Sequence, residues 1–203
     1  MPRYRTLAAP HSLAVPNIKK SRFLGHAAPI GSKAEAEAFV DAVRAQWPDA
    51  RHHCFAWRLA EGDQGFRTHD AGEPGGTGGK PILTHIDGAA LCGVVVVVSR
   101  WFGGIKLGKG GLIRAYGGTA GAVLADAEII EVVRTLPCQI VLDYSDQGPI
   151  ERVLRAHGIE AGPTDFGARV TLSVAVPVDL VDSLKIDVNE ATAGRVQLLG
   201  QHH

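Results

Sequence analysis

Four basic residues, Arg100, Lys106, Lys109 and Arg114, crowd a stretch from Gly88 to Ala125 that contains no Asp or Glu. The pairs Gly103-Gly104 and Gly110-Gly111 sit among them. An upstream block, GEPGGTGGKP at Gly72–Pro81, adds Glu73 and Lys80. Cations attract phosphate or an acidic partner. Glycines let a backbone take positive φ or come close to a ligand. The chain as a whole is neutral, with 21 basic and 21 acidic residues, so any anion affinity must come from a local patch. Fifteen of the 25 glycines lie between Gly72 and Gly121, which makes the glycine excess local as well. The combination outlines a binding surface.

The known phosphate loops do not fit it. A Walker A loop needs glycine five residues before its Gly-Lys pair and Ser or Thr after it. Here Pro74 and Pro81 stand at those positions around Gly79-Lys80. A dinucleotide GxGxxG beginning at Gly108 fails at Ile113. A looser anion site at Gly110-Gly111 remains open, because a helix N-terminus there would present free N–H groups and a positive dipole end. For RNA, the cations would contact phosphates, and Trp101, Phe102 or Tyr116 would stack on unpaired bases. The alternative is that Trp101 and Phe102 anchor the loop and the cations form a solvated face. Tyr116 falls on an apolar helical stripe and reads as core. Arg114 faces away from that stripe, beside Gly118 and Gly121.

Catalytic and metal chemistry have weaker support. His52, His53, His69, His85 and Asp70 are suitable ligand types, but they lack tight metal-binding spacing. No metal and no cofactor are expected. No GxSxG elbow is present. Glu73 could act as a base, although pairing with Lys80 or capping the loop is the simpler role. Cys54, Cys92 and Cys138 form no CxxC pair, which suits a reducing, cytoplasmic setting. No apolar run reaches the length of a membrane span.

The elements that must position these residues follow from periodicity. Tyr4–Leu7, Ser12–Ile18 and Arg22–Ile30 read as strands. Ser32 and Glu35 form a capping box for a helix with Ala36, Phe39, Val40, Val43 and Trp47 on one face, stopped by Pro48. Cys54–Leu59 is a strand, Gly62–Gly65 a turn, and a short strand follows. Lys80–Leu91 reads as a helix with Pro81 at its first position. Val94–Val98 reads as a strand buried on both sides, and Trp101–Lys109 as a loop. Leu112, Tyr116, Ala120, Val123 and Ala127 then recur at helical spacing. Gly117, Gly118 and Gly121 interrupt this helix at a cost of roughly 1 kcal/mol each relative to Ala, so another backbone or a ligand is expected against them. Ile129–Val133 is a strand. After Pro137 the pattern becomes βαββαβ, with Asp146 as a helix cap and Gly158 and Gly194 as helix ends, a ferredoxin-like order.

At this point longer motifs stand out. GEPGGTGGKPIL, VVVVVSRWFGGIKLGKGGLIRAYGG, IKKSRF at Ile18–Phe23 and DARHHCFAW at Asp49–Trp57 closely resemble the YigZ/IMPACT family, in the family's order. The resemblance runs from Ile18 to about Val133, and the tail is similar to the second domain of the bacterial branch. It implies an α+β protein of two domains. Residues 1–134 would form a ribosomal protein S5 domain 2-like domain. Residues 137–203 would form a ferredoxin-like domain similar to domains III and V of elongation factor G. It also implies a link to translation, because eukaryotic relatives regulate translation by competing for a partner of an initiation-factor kinase. This chain has Gly75 and Gly78 where alanine is common, and Trp101 where tyrosine is frequent. A peptidase label carried by some relatives finds no supporting motif.

The expectation is therefore a cytoplasmic, non-enzymatic protein contacting RNA, the ribosome or a translation-associated protein through Gly72–Gly121. Arg100, Lys106, Lys109, Arg114 and Lys80 would meet phosphates or acidic groups, with Glu73 beside them. Gly103, Gly104, Gly110 and Gly111 would allow close backbone approach. A protein adaptor without RNA contact, and a hydrolase acting on a phosphorylated or peptide substrate through a pocket around Glu73 and Lys80, are the alternatives.

Overall fold

The structure is a computed structural model that describes residues 3–60 and 65–200. The turn expected at Gly62–Gly65 lies mainly outside the described residues. Eleven strands and five α-helices are described, in two compact units: Tyr4–Val132, and Val133 onward together with Arg3.

In the first unit the strands are β1 (Arg3–Leu7), β2 (His11–Ile18), β3 (Ser21–Pro29), β4 (His52–Arg58), β5 (Phe66–His69), β6 (Val94–Trp101) and β7 (Ile129–Val133). The helices are α1 (Lys33–Gln46), α2 (Gly79–Gly88) and α3 (Gly108–Asp126). Five consecutive valines leave β6 no polar face, so it needs cover on both sides. It sits at the centre of an antiparallel sheet ordered β2-β3-β6-β4-β5. Val94, Val96 and Val98 face α2 and α3, together with Phe23, Cys54 and Ala56. Val95 and Val97 face α1, with Phe55 and Trp57. All five valines are fully buried, each contributing about 1.5–3 kcal/mol. β1 and β7 pair separately.

α1 starts as its sequence dictates. The Ser32 hydroxyl accepts from the Glu35 amide at 3.2 Å, and the Glu35 carboxylate reaches back to the Gly31 amide at 2.8 Å. α2 begins one residue before the expected start, so Pro81 occupies its third position. There its missing N–H still costs nothing, because the first-turn donors have no intrahelical partner. α3 begins at Gly108, inside the stretch read as loop. Two of its interior glycines face α2: a Cβ on Gly117 would come within 3.0 Å of the His85 ring, and one on Gly121 within 2.7 Å. Two small residues thus let the helices pack closely.

The second unit contains β8 (Thr135–Leu142), α4 (Gln147–Ala156), β9 (Ala161–Phe166), β10 (Val170–Pro177), α5 (Val181–Ala191) and β11 (Gln197–Gly200). Its sheet order, β11-β8-β10-β9, is the ferredoxin-like arrangement. Ile140, Leu142, Leu172 and Val176 from the sheet pack with Ile150, Leu154, Leu184 and Val188 from the helices. Asp146 departs from its expected role. It makes no capping bond to α4, and its buried carboxylate instead accepts from Arg195 at 2.7 Å.

Candidate functional site

The glycine block at Gly72–Gly79 is shaped by two carboxylates pulling in opposite directions. Asp70, at the end of β5, accepts from the amides of Gly76, Gly78 and Gly79 at 2.8–2.9 Å. Burial disfavours its charged form, but these three donors outweigh burial and hold the Asp70 pKa below its usual value. Asp70 therefore fills the N-terminal anion site of α2 from within the protein. The loop fits because it lacks side chains: a Cβ on Gly78 would lie 2.4 Å from the Cys54 sulfur, and one on Gly79 2.5 Å from the His69 backbone nitrogen.

Glu73 turns inward. Its Oε1 accepts from Arg100 Nη1 at 2.6 Å and from the Tyr116 hydroxyl at 2.7 Å, and both charged side chains are only 5% exposed. The expected pairing of Glu73 with Lys80 is thus replaced by a clamp joining the loop to β6 and α3. Arg100 is corrected with it. Its guanidinium is buried, also donates to Ser21 Oγ at 3.3 Å, and is not a surface contact for phosphate. The register explains this: Arg100 pairs with Phe23 and His52 in the middle of the sheet, where Glu73 neutralises it. Tyr116 is fully buried, as its helical position implied. Burial pushes the nearby Cys54 thiol up to about 12, so it is no nucleophile near neutral pH.

The remaining cations behave differently. Lys80, Lys106, Lys109 and Arg114 are all exposed, and none pairs with an acidic side chain among the described residues. Lys106 precedes α3 and Lys109 lies in its first turn. The Arg114 guanidinium reaches back to within 3.6 Å of where a Gly110 Cβ would be. That turn has no side-chain cap and no acidic residue, so the amides at its start remain available to an anion. Gly110 has no packing need for its missing side chain, whereas at Gly111 a Cβ would press on Leu107 at 3.1 Å. Gly104 takes a positive φ of 86° in the turn before α3. Gly103 serves internal packing: a Cβ there would lie 1.9 Å from the Lys20 carbonyl oxygen. Its close backbone approach is to the β2–β3 turn, not to a ligand.

Of the aromatic candidates, Trp101 is tied down. Its indole N–H donates to Asp49 at 2.8 Å, and the Arg22 guanidinium lies 3.6 Å over its ring. Phe102 is 45% exposed, as are Ile105 (42%) and Ile113 (44%). Lys80 and Arg114 also line a groove of about 550 Å³ between α2 and α3, from which Glu73 is absent. No cluster of three His, Cys, Asp or Glu suited to a metal occurs among the described residues, and none of their helices is long and apolar enough to cross a membrane.

An S5 domain 2-like unit carrying an exposed cationic helix start, followed by a ferredoxin-like unit, defines a two-domain α+β class of protein. Residues 19–124 match the Impact N-terminal domain, and residues 140–195 match a domain of unknown function (DUF1949). The chain belongs to the YigZ/IMPACT family. It is 37% identical to the IMPACT family member YigZ of Escherichia coli over 194 residues, covering 95% of each chain. It is 32% identical to the protein IMPACT homolog of Saccharomyces cerevisiae over 91 residues, covering 43% of this chain and 35% of that one. A crystal structure of a hypothetical protein, 35% identical, superposes with a TM-score of 0.73 over 100% of this chain and 99% of its own.

Proposed function

We propose that this chain is a translation-associated, non-enzymatic binding protein that contacts RNA, free or within the ribosome, through Lys80, Lys106, Lys109 and Arg114. One observation carries the reading. α3 is charged against its own dipole, with unpaired Lys109 and Arg114 near its positive N-terminal end, Lys106 just before it, and Asp126 at its negative C-terminal end. Of these, Lys109 in the first turn opposes helix stability by about 0.3–1 kcal/mol, while Arg114 lies a turn further in and Asp126 is paired with His11. An anion arriving from outside would offset that cost at an uncapped helix start with cations before it, in its first turn and one turn on. Phe102 adds an exposed ring able to stack on an unpaired base. The link to translation comes from the family resemblance. The candidate base, Glu73, is engaged by Arg100 and Tyr116, which favours binding over hydrolysis.

A second reading, docking of a translation-associated protein, draws on the exposed apolar side chains Phe102, Ile105 and Ile113 next to the same cations. A salt titration separates the two. Single-stranded RNA binding should show a log–log slope of roughly −0.7 per phosphate contact. Changing Lys80, Lys106, Lys109 and Arg114 together to Ala should flatten that slope by about 2–3. No binding of RNA or ribosomes at low salt overturns the RNA reading in favour of the protein partner.

A further inference from the structure

We infer that the groove between α2 and α3 is a binding site for a small phosphate ester with a flat apolar body, of the mononucleotide class. The inference rests on Lys80 and Arg114 being free to bind anions, as in the function proposed above, but it places a discrete ligand in a cavity. The groove's volume of about 550 Å³ is in the range of small-molecule pockets. Its two walls each supply one cation, Lys80 from α2 and Arg114 from α3, and none of the described acidic residues lines it. Pro81 and Ile113 supply apolar surface between them. A phosphate would be held by side chains here, because Asp70 already takes the Gly76, Gly78 and Gly79 amides.

Gly118 is the second observation. Gly117 and Gly121 are accounted for by the His85 ring packed against them. Gly118 is not: a Cβ built on it meets nothing within 4 Å, and the residue lines the groove. An exposed glycine in mid-helix weakens the helix relative to alanine, and no atom of the described residues benefits from its bareness. A ligand lying flat against the helix backbone at this point does. The walls thus provide two cations for the phosphate, and Pro81, Ile113 and the bare backbone at Gly118 a surface for the ring system.

Calorimetric titration of the full chain with AMP, adenosine and inorganic phosphate tests this. AMP should bind saturably and at least tenfold more tightly than either fragment. Lys80→Ala and Arg114→Ala should each weaken AMP about tenfold to hundredfold, the range for hydrogen bonds to charged groups. Gly118→Leu, which fills the groove while leaving every cation in place, should abolish AMP binding. Gly118→Ala is the milder partner variant; it should fold with equal or higher thermal stability and bind AMP more weakly. If wild type binds no AMP at millimolar concentration, or binds phosphate as tightly as AMP, the inference is wrong. It is equally wrong if Gly118→Leu binds AMP normally. A 5′-phosphorylated single-stranded oligonucleotide that displaces AMP identifies an RNA end as the natural source, and one that leaves AMP bound identifies a free nucleotide. AMP binding without any RNA binding would refute the proposed function and leave this site standing.

Discussion

Helices α1 and α3 cover opposite faces of one sheet, and their ends are charged in opposite senses. α1 opens with Ser32 and Glu35 satisfying its first amides and carries Arg44 in its last turn. These choices agree with the helix dipole; Lys33 at the first position opposes it but pairs with Glu37 at 3.8 Å. α3 opens uncapped among Lys106, Lys109 and Arg114, contains glycines in mid-helix, and ends on Asp126, which is held by His11 at 2.7 Å. The same chain thus follows the stability rules on one face and breaks them on the other. The face that breaks them is the one with exposed cations and the groove, a difference that the proposed binding role would explain.

The comparison can be broken most severely through the clamp that seats α3. Glu73→Ala leaves Arg100 charged and buried without its carboxylate, and should cost about 3–5 kcal/mol in urea unfolding. A loss under about 1 kcal/mol, the scale of an exposed pair, would show that the Glu73–Arg100–Tyr116 contact does not hold the loop to α3. A smaller effect, on the α1 side, depends on pH. His26 lies beside Trp47 and shares a hydrogen bond with Ser12 at 2.9 Å. Burial, with His53 nearby adding to it, lowers its pKa from 6.5 to about 4. The folded state then binds fewer protons than the unfolded chain, so stability falls as pH drops from 6.5 towards 4. His26→Asn should flatten that part of the stability–pH curve, and an unchanged curve would assign the loss elsewhere. Asp70 acts at lower pH: its stabilisation is present above the ordinary carboxylate value and lost as pH falls through its depressed folded value.

Direct tests of the two helix starts are smaller still. Ser32→Ala should destabilise by about 1 kcal/mol, as loss of a cap does. Lys109→Glu should do the reverse, stabilising by about 0.3–1 kcal/mol at low salt while weakening RNA binding. Thermal unfolding with and without salt checks both, and a destabilised Lys109→Glu would remove the argument that α3 gives up stability for binding.

Local features were readable directly. The α1 cap joins residues three apart, the valines of β6 are adjacent, and the alternation after Pro137 is a period of two, so each signal lies within a few residues of its cause. The glycines of α3 announced close packing only in part: the neighbour of Gly117 and Gly121 is a side chain, His85 of α2, rather than a backbone or a ligand, and no atom of the described residues lies against Gly118. The candidate site was legible only in part. Its free cations Lys80, Lys106, Lys109 and Arg114 stand out by type and by the absence of nearby acids. Arg100 looks identical in the sequence, and only strand register shows it to be buried. Its partner Glu73 lies 27 residues away, and Tyr116 lies 43 residues from Glu73. No spacing rule connects residues that far apart. Asp70 was readable as a possible ligand type but not as the clasp of the glycine loop, because its partners lie six to nine residues on, beyond capping distance.

Sequence by itself therefore determined most of the elements, though not every boundary, the two-unit plan and the local concentration of glycine and basic residues, because these depend on short-range periodicity and composition. Tertiary structure decided which charges are neutralised inside and which remain outside. That choice depends on the packing of strands and helices distant in the chain, where burial makes an unpaired charge too costly to keep.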